Sequence, residues 1–422
     1  MKNNSTIDKT SLILGEVYKS NHERLLSTIN LYKTIYDLPE IIHKEEVKKE
    51  MFEYCRKRSG LFVIVAVYSP REGIFLLRYI MDHLGWELPG TSIRPSIDET
   101  LQDSVFRVVE KYVPGIEIGE LEPVAVIKNQ FKFDTGNVEH TGLGFMARSR
   151  NINNSILEDN MPDVQGQFVN DSGKDSEDIF RLANRQIFNI VMKKLLARPH
   201  EPPEEEISSA EKYAWRQRFH KATVSKIFKR FSSDQIKKKL LELIGSTKGI
   251  TLLDVSCGDN EFVYDISEGD IELCVANDVS WPTIRFLMEQ CKEKKYHNVI
   301  FTNHNVTTLP FAKIFDIVLC KNTLHHMRNP KEFRALVENL RKVCNDKIII
   351  VEIEDPDQGG NIARCLHKYW YNNFLGDVGE FFFTSEKFKE ILTSAFDEDE
   401  IKFSELNTIK GRYLFAVINL KN

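Results

Sequence analysis

The residues able to do chemistry gather in the second half of the chain. The run Ile250-Thr-Leu-Leu-Asp-Val-Ser-Cys-Gly-Asp-Asn-Glu-Phe262 begins as a short apolar strand carrying Asp254. It then turns through Ser256, Cys257, Gly258, Asp259 and Asn260, all small or turn-prone. In a doubly wound α/β fold, the loop after the first strand is where a nucleotide-like ligand binds. Asp278 closes a second apolar run, Ile271-Glu-Leu-Cys-Val-Ala-Asn-Asp278. A carboxylate there can accept from two hydroxyls at once, and Gly258 lets backbone pass close to a ligand. His325 and His326 lie just beyond another apolar run at 315–320, and Glu352, Glu354 and Asp355 end a further one. Imidazole titrates near neutrality and can take a proton from a nucleophile, while clustered carboxylates can orient an amine. The histidines equally suit shaping a pocket, and the three acids a solvated loop.

The elements that position these residues alternate. After a helical lead-in over 215–244, strands at 250–255, 271–278, 299–302, 315–320 and 347–352 are interleaved with helical stretches, among them 283–294 and 332–343. Such alternation predicts a parallel sheet with helices on both faces. The tail differs: a helix at 385–395 precedes strands at 400–404 and 412–419, and their short connection makes them antiparallel. The expected fold class is α/β, a Rossmann-like sheet of seven strands ending in a hairpin.

Taken in order, these motifs resemble the class I S-adenosylmethionine-dependent methyltransferases over about residues 215 to 422. The family's D-x-G-C-G-x-G appears as Asp254-Val-Ser-Cys-Gly-Asp-Asn260, and the ribose-gripping acid as Asp278 in Val275-Ala-Asn-Asp-Val-Ser280. The adenine-side position is Asn305 in Asn303-His-Asn-Val-Thr-Thr-Leu-Pro-Phe311. The fourth-strand motif stands as Phe315-Asp-Ile-Val-Leu-Cys-Lys-Asn-Thr-Leu-His-His326. The resemblance implies S-adenosylmethionine as cofactor, held by Asp254, Ser256, Cys257, Gly258, Asn260, Asp278, Val279, Asn305, Val306 and Cys320. His325, His326 and Glu354 are the candidate catalytic residues. Ser256 and Asn260 stand where the family has glycine. A dinucleotide site needs those glycines for close approach to pyrophosphate, so NAD is disfavoured, whereas a sulfonium cofactor carries no phosphate. The stretch 358–383, dense in His367, Tyr369, Trp370, Tyr371 and Phe374, is placed to cover a substrate, although aromatics of this kind also pack cores.

The first half reads differently. Apolar residues at helical spacing over 10–58 predict a helical arm, assigned to residues 1–58. From Gly60 a hairpin, 61–68 and 74–79, leads to Trp86-Glu-Leu-Pro-Gly90 and a helix near 97–113, then strands at 116–127 and 142–148, a long loop at 151–174 and a helix at 180–196. This order resembles the Nudix hydrolases, an α+β fold, across residues 59–197. Glu99 and Arg107 keep the family's mutual spacing, and Gly115-Ile116 closes the motif. Nudix catalysis needs several carboxylates on one helical face to hold Mg²⁺. The matching positions are Val108, Lys111 and Tyr112, and the second glycine of the family's pair is Thr91. The resemblance therefore implies the fold without the hydrolase, serving as a scaffold, a dimerisation module or a binder of a phosphate-bearing group. Arg198-Pro-His-Glu-Pro-Pro-Glu-Glu-Glu206 cannot build a core and predicts a linker at 198–214, followed by the methyltransferase-like domain at 215–422.

With 422 residues, two domains are expected. A net charge of -5 gives no electrostatic footprint for nucleic acid. Seven scattered cysteines without a C-x-x-C pair argue against structural zinc or a disulfide framework, and no apolar run reaches membrane-spanning length. The expectations are a cytoplasmic protein with no metal site and no membrane partner, a small-molecule substrate methylated on oxygen or nitrogen, and a possible homodimer through the first half. Two rival readings remain: a non-catalytic protein sensing nucleotides or the cofactor, and an RNA or protein methyltransferase.

Overall fold

The computed structural model describes residues 9–46, 52, 60–69, 73–79, 86–94, 100–116, 118–134, 136–149, 164–169, 182–197, 225–258, 262–267, 271–280, 283–284, 286–288, 290, 298–312, 314–327, 329–355, 383–397, 400–408 and 411–420. Two compact units divide the chain, Met1–Glu201 and Pro202–Asn422. Their boundary falls inside the proline-rich stretch.

The first unit holds helix α1 (Lys9–Tyr36), strands β1 (Glu40–Glu46), β2 (Leu61–Ser69), β3 (Gly73–Tyr79) and β4 (Gly90–Ser92), and helix α2 (Leu101–Tyr112). Strands β5 (Ile118–Phe133), β6 (Gly136–Ser149) and β7 (Val164–Val169) and helix α3 (Leu182–Ala197) follow. Its sheet runs β1-β5-β6-β2-β3-β7 with β4 on β2, parallel at β1/β5 and β2/β6 and otherwise antiparallel. Two expectations need correcting. The arm is not helical throughout, because Glu40–Glu46 is an edge strand parallel to β5. Within it only Ile41 is buried, so its sparse apolar pattern carries no two-residue period; Lys33 and Lys128 pin Glu40 instead, at 2.6 and 3.0 Å. The stretch 151–174 is not all loop, since Val164–Val169 pairs with β3. A Cβ on Gly166 would strike the Phe75 ring, so the glycine fits this register while weakening its strand signal.

In the second unit, α4 (Ser225–Ile244) precedes β8 (Thr251–Asp254), α5 (Phe262–Ser267), β9 (Leu273–Asn277) and β10 (Val299–Thr302). Then come β11 (Phe315–Lys321), α6 (Pro330–Val343), β12 (Cys344–Ile353), α7 (Ser385–Ala395), β13 (Ile401–Thr408) and β14 (Gly411–Asn419). The seven strands lie in the order β10-β9-β8-β11-β12-β14-β13. The first five are parallel, and β14 runs antiparallel to both neighbours, as the hairpin reading expects.

Local chemistry explains these elements. The α6 helix starts at Asn329, whose side chain accepts from the Lys331 and Glu332 N–H groups, with Pro330 in the first turn where its missing N–H costs nothing. Leu336, Val337, Leu340 and Val343 form its buried stripe, each contributing about 2 kcal/mol of hydrophobic burial. At the amino end of the sheet, Asp316 accepts from the Thr251 N–H at 2.8 Å and returns its own N–H to Thr251 Oγ1 at 3.0 Å. That exchange locks β11 to β8, and thereby the two strands whose far ends frame the site. Among the described residues, no helix is long and apolar enough to cross a membrane.

Candidate functional site

From β8 the chain first steps to β9 and β10 on one side, then crosses back to lay β11 on the other. The carboxyl ends of β8 and β11 therefore flank a topological switch point, where a parallel sheet leaves a crevice for a ligand.

The β8 loop lines that crevice. Asp254 is fully buried; its Oδ1 accepts from the Ser256 N–H at 3.2 Å, and its Oδ2 has no hydrogen-bond partner among the described residues. Burial raises its carboxyl, against the opposing Lys321 charge and the Ser256 N–H. Ser256 donates through Oγ to the Lys321 carbonyl at 3.3 Å and makes a short contact with Thr323 Oγ1, tying the loop to the end of β11. The Cys257 N–H donates to the Asn277 carbonyl at 2.9 Å, and burial pushes the Cys257 thiol well up, helped by the Asp278 and Asp254 charges. Gly258 has φ +56° and open space where a side chain would begin, so a ligand can approach its backbone.

Asp278 follows β9 and is fixed by two backbone donors, Gly258 N–H at 2.9 Å and Ser280 N–H at 2.8 Å. A carboxylate at the end of the second strand is the kind of group that can accept from ribose hydroxyls. Behind it, fully buried Asn277 stitches three segments together. Its Nδ2 donates to the Val255 and His304 carbonyls, both at 2.9 Å, and its Oδ1 accepts from Thr302 Oγ1 and the His304 N–H. Asn303 donates to the Asp278 carbonyl at 2.7 Å. Val279 is half-buried beside Asp278. Asn305 caps a short 3-10 turn by accepting from the Thr307 N–H and Oγ1, and Val306 is buried within that turn. Cys320 is sealed inside β11, and burial raises its thiol. Asn260 lies outside the described residues, as do Glu99 and all of the aromatic stretch except Phe383.

Beyond β11 the chain turns at Asn322, a non-glycine residue at φ +51°, into a 3-10 turn, Leu324–His326. Here the structure assembles what the sequence left scattered. Glu352, fully buried at the end of β12, accepts the Thr323 and Leu324 N–H groups on Oε1, both at 2.6 Å, and faces His325 Nδ1 from Oε2 at 2.7 Å. A carboxylate in that position holds the proton on Nδ1 and leaves Nε2 as the basic nitrogen. His326 stands against His325 with ring centroids 4.1 Å apart. Glu354 is placed otherwise. Both of its oxygens are engaged by Arg412, at 2.6 Å from Nε and in a short contact with Nη2.

Asp254, Ser256, Cys257, Gly258 and Asp278 thus form one connected group, and His325 joins it through Thr323 and Glu352. The roles of Asn277, Asn303 and Thr323 went unread in the sequence. An asparagine inside an apolar strand was the available signal for Asn277. The open space over Gly258, the fixed Asp278 carboxylate and the unpartnered Asp254 oxygen together suit a nucleoside bearing a small polar tail.

Residues 252–347 match the family model described as "Methyltransferase domain". The demethylmenaquinone methyltransferase of Lactococcus lactis subsp. lactis (strain IL1403) is 24% identical over 157 residues, 36% of this chain; the match spans 61% of the relative's length. Among solved structures, a SAM-dependent methyltransferase from Aquifex aeolicus is 16% identical, with 50% of this chain and 98% of that one covered at a TM-score of 0.35. The magnesium protoporphyrin IX methyltransferase from Synechocystis PCC 6803 with bound SAH is 14% identical, with 49% and 93% covered at a TM-score of 0.37. Residues 252–347 are thus similar to a methyltransferase domain, and that match supports S-adenosylmethionine as the cofactor.

Proposed function

We propose that the second unit transfers a methyl group from S-adenosylmethionine to an oxygen or nitrogen of a small molecule. The observation that carries this is the Asp278 carboxylate, held by the Gly258 and Ser280 N–H groups beside the switch point of the sheet. When bound, the cofactor supplies a methyl carbon activated by the adjacent positive sulfur. The protein's share is then alignment of the nucleophile and removal of its proton. Asp278 grips the ribose, Gly258 leaves room for the chain beyond it, and Asn277 keeps the β8, β9 and β10 ends in register. His325, its Nδ1 facing Glu352, accepts the nucleophile's proton at Nε2. The name of the Lactococcus relative, which specifies demethylmenaquinone, favours a small-molecule acceptor over RNA or protein.

The first unit is, in this proposal, Nudix-like in fold and without hydrolase activity, retained for substrate binding or assembly. Val108 and Tyr112, at positions where that family places carboxylates, are buried in the core, and Lys111 leans on the Tyr112 ring at 4.4 Å. Arg107 serves packing, donating to Thr91 Oγ1 at 2.9 Å and to the Ser92 carbonyl at 2.8 Å.

Calorimetric titration with S-adenosylmethionine tests the cofactor site, and absence of binding would refute the enzyme reading. A labelled-methyl assay against small-molecule, RNA and protein fractions then identifies the acceptor class. Cofactor binding with no transfer to any fraction would favour a sensing protein instead.

A further inference from the structure

Lys321 ends β11, 9% exposed, at the lip of the crevice. Its backbone is fixed, because its carbonyl accepts from Ser256 Oγ at 3.3 Å and from Thr323 Oγ1 at 3.1 Å. Its ammonium is another matter. Nζ is buried and has no hydrogen-bond partner among the described residues. An ammonium carries three donors, and leaving all of them unmet away from water is costly unless an anion arrives. Nζ stands over the ring of Phe262, the first residue of α5, 6.0 Å from its centroid. That places the charge on the β8 side of β11, where it also acts on Asp254 and Cys257. The His325–Glu352 pair lies toward the other neighbour, β12.

We propose that Lys321 binds the carboxylate of the cofactor's methionyl group. The inference rests on the S-adenosylmethionine reading of the site. Asp278 fixes the nucleoside end and is itself bonded to Gly258, over which the space is open. Beyond Gly258 the chain enters α5 at Phe262, and Nζ lies above that ring. Of the charged groups on the methionyl tail, only the carboxylate complements an ammonium. Asp254 does not fill the role, since its Oδ2 is equally buried and equally without a partner. A carboxylate on the methyl acceptor has the same chemistry, but an acceptor has to reach the His325 side of β11.

The test compares S-adenosylmethionine with decarboxylated S-adenosylmethionine, which differ by this one group. Calorimetric titrations use the full chain, unaltered and as Lys321→Met and Lys321→Arg. The unaltered chain binds the carboxylated form at least about tenfold more tightly, the size expected of one charge-assisted contact. Lys321→Met reduces that ratio to near one and leaves affinity for the decarboxylated form unchanged, and Lys321→Arg restores most of the ratio. An unchanged ratio in Lys321→Met would overturn the inference and leave Lys321 to the acceptor. Equal weakening toward both ligands would also overturn it, by making the lysine structural. If the unaltered chain binds neither ligand, the cofactor reading fails and the inference with it.

Discussion

Glu352 Oε2 lies 2.7 Å from His325 Nδ1, with both side chains shut away from solvent. The same carboxylate holds two backbone N–H groups of the turn that carries the histidine, so one residue sets both the ring's tautomer and the turn's shape. Glu352→Gln keeps the size but offers an amide donor to Nδ1, which moves the imidazole proton to Nε2. Nitrogen-15 imidazole spectra will show that switch, and methyl transfer will fall about a hundredfold, as expected for loss of a general base. Transfer unaffected by the switch would remove His325 from the reaction.

Asp278→Ala removes the acceptor for Gly258 and Ser280 N–H together with the proposed ribose contact. Affinity for S-adenosylmethionine is expected to fall about a hundredfold or more by calorimetry, two charge-assisted hydrogen bonds being lost. Unchanged affinity would refute the assignment.

Arg412 joins β14 to β12 through Glu354, a residue 4% exposed. Arg412→Met leaves that carboxylate buried beside an apolar chain, at a cost of about 2 kcal/mol in urea unfolding. The value sits below that of a fully enclosed pair because the Arg412 side chain is 30% exposed. Glu354→Gln costs less, and a cycle combining the two changes measures the coupling.

Cys344 is held up from an ordinary 9.0 to about 11, chiefly by burial, and burial raises the thiols of Cys257 and Cys320 as well. A thiol that ionises less readily in the folded chain contributes stability at pH below 9, and that contribution is lost as pH rises toward the folded value. For Cys344 the window runs from pH 9 to about 11. The melting temperature is therefore expected to drop through that interval, less steeply in Cys344→Ala. Iodoacetamide at pH 8 should spare these three thiols in native protein and label them after unfolding.

Restoring an acidic helix to the first unit should break it. Val108→Glu places a carboxylate at a site 1% exposed in the core, at an expected cost of more than about 3 kcal/mol. Thermal melting checks this; a stable variant that hydrolysed nucleoside diphosphates with Mg²⁺ would contradict the reading of this helix.

The second unit was legible because its signals are local. Each parallel strand is a short apolar run, and Asp254 and Asp278 stand at strand ends where period and turn residues place them. Roles set by distant partners were harder to read. Asp316 belongs to a recognisable motif, yet its function is to clamp Thr251 at the opposite end of the sheet. Glu352 lies near the end of β12 and Glu354 one residue beyond it, yet one carboxylate meets His325 and the other Arg412, partners that strand period does not predict. In the first unit, β1 was missed because an edge strand buries one residue in seven and leaves no period to detect.

The placement of β14 has a consequence for how the molecule is made. It lies between β12 and β13, and Tyr413 pairs with Ile353 across 60 positions of sequence. A ribosome adding about 5–20 residues per second needs roughly 3–12 seconds to cover that interval. Throughout it, the Ile348-Ile-Ile-Val351 flank of β12 has no mate, and an apolar strand edge without a mate recruits other chains. The nascent protein is therefore most exposed to aggregation late in translation, when most of the crevice-forming strands already exist. Slower elongation over residues 354–413 should lower soluble yield, and a holdase chaperone should recover it.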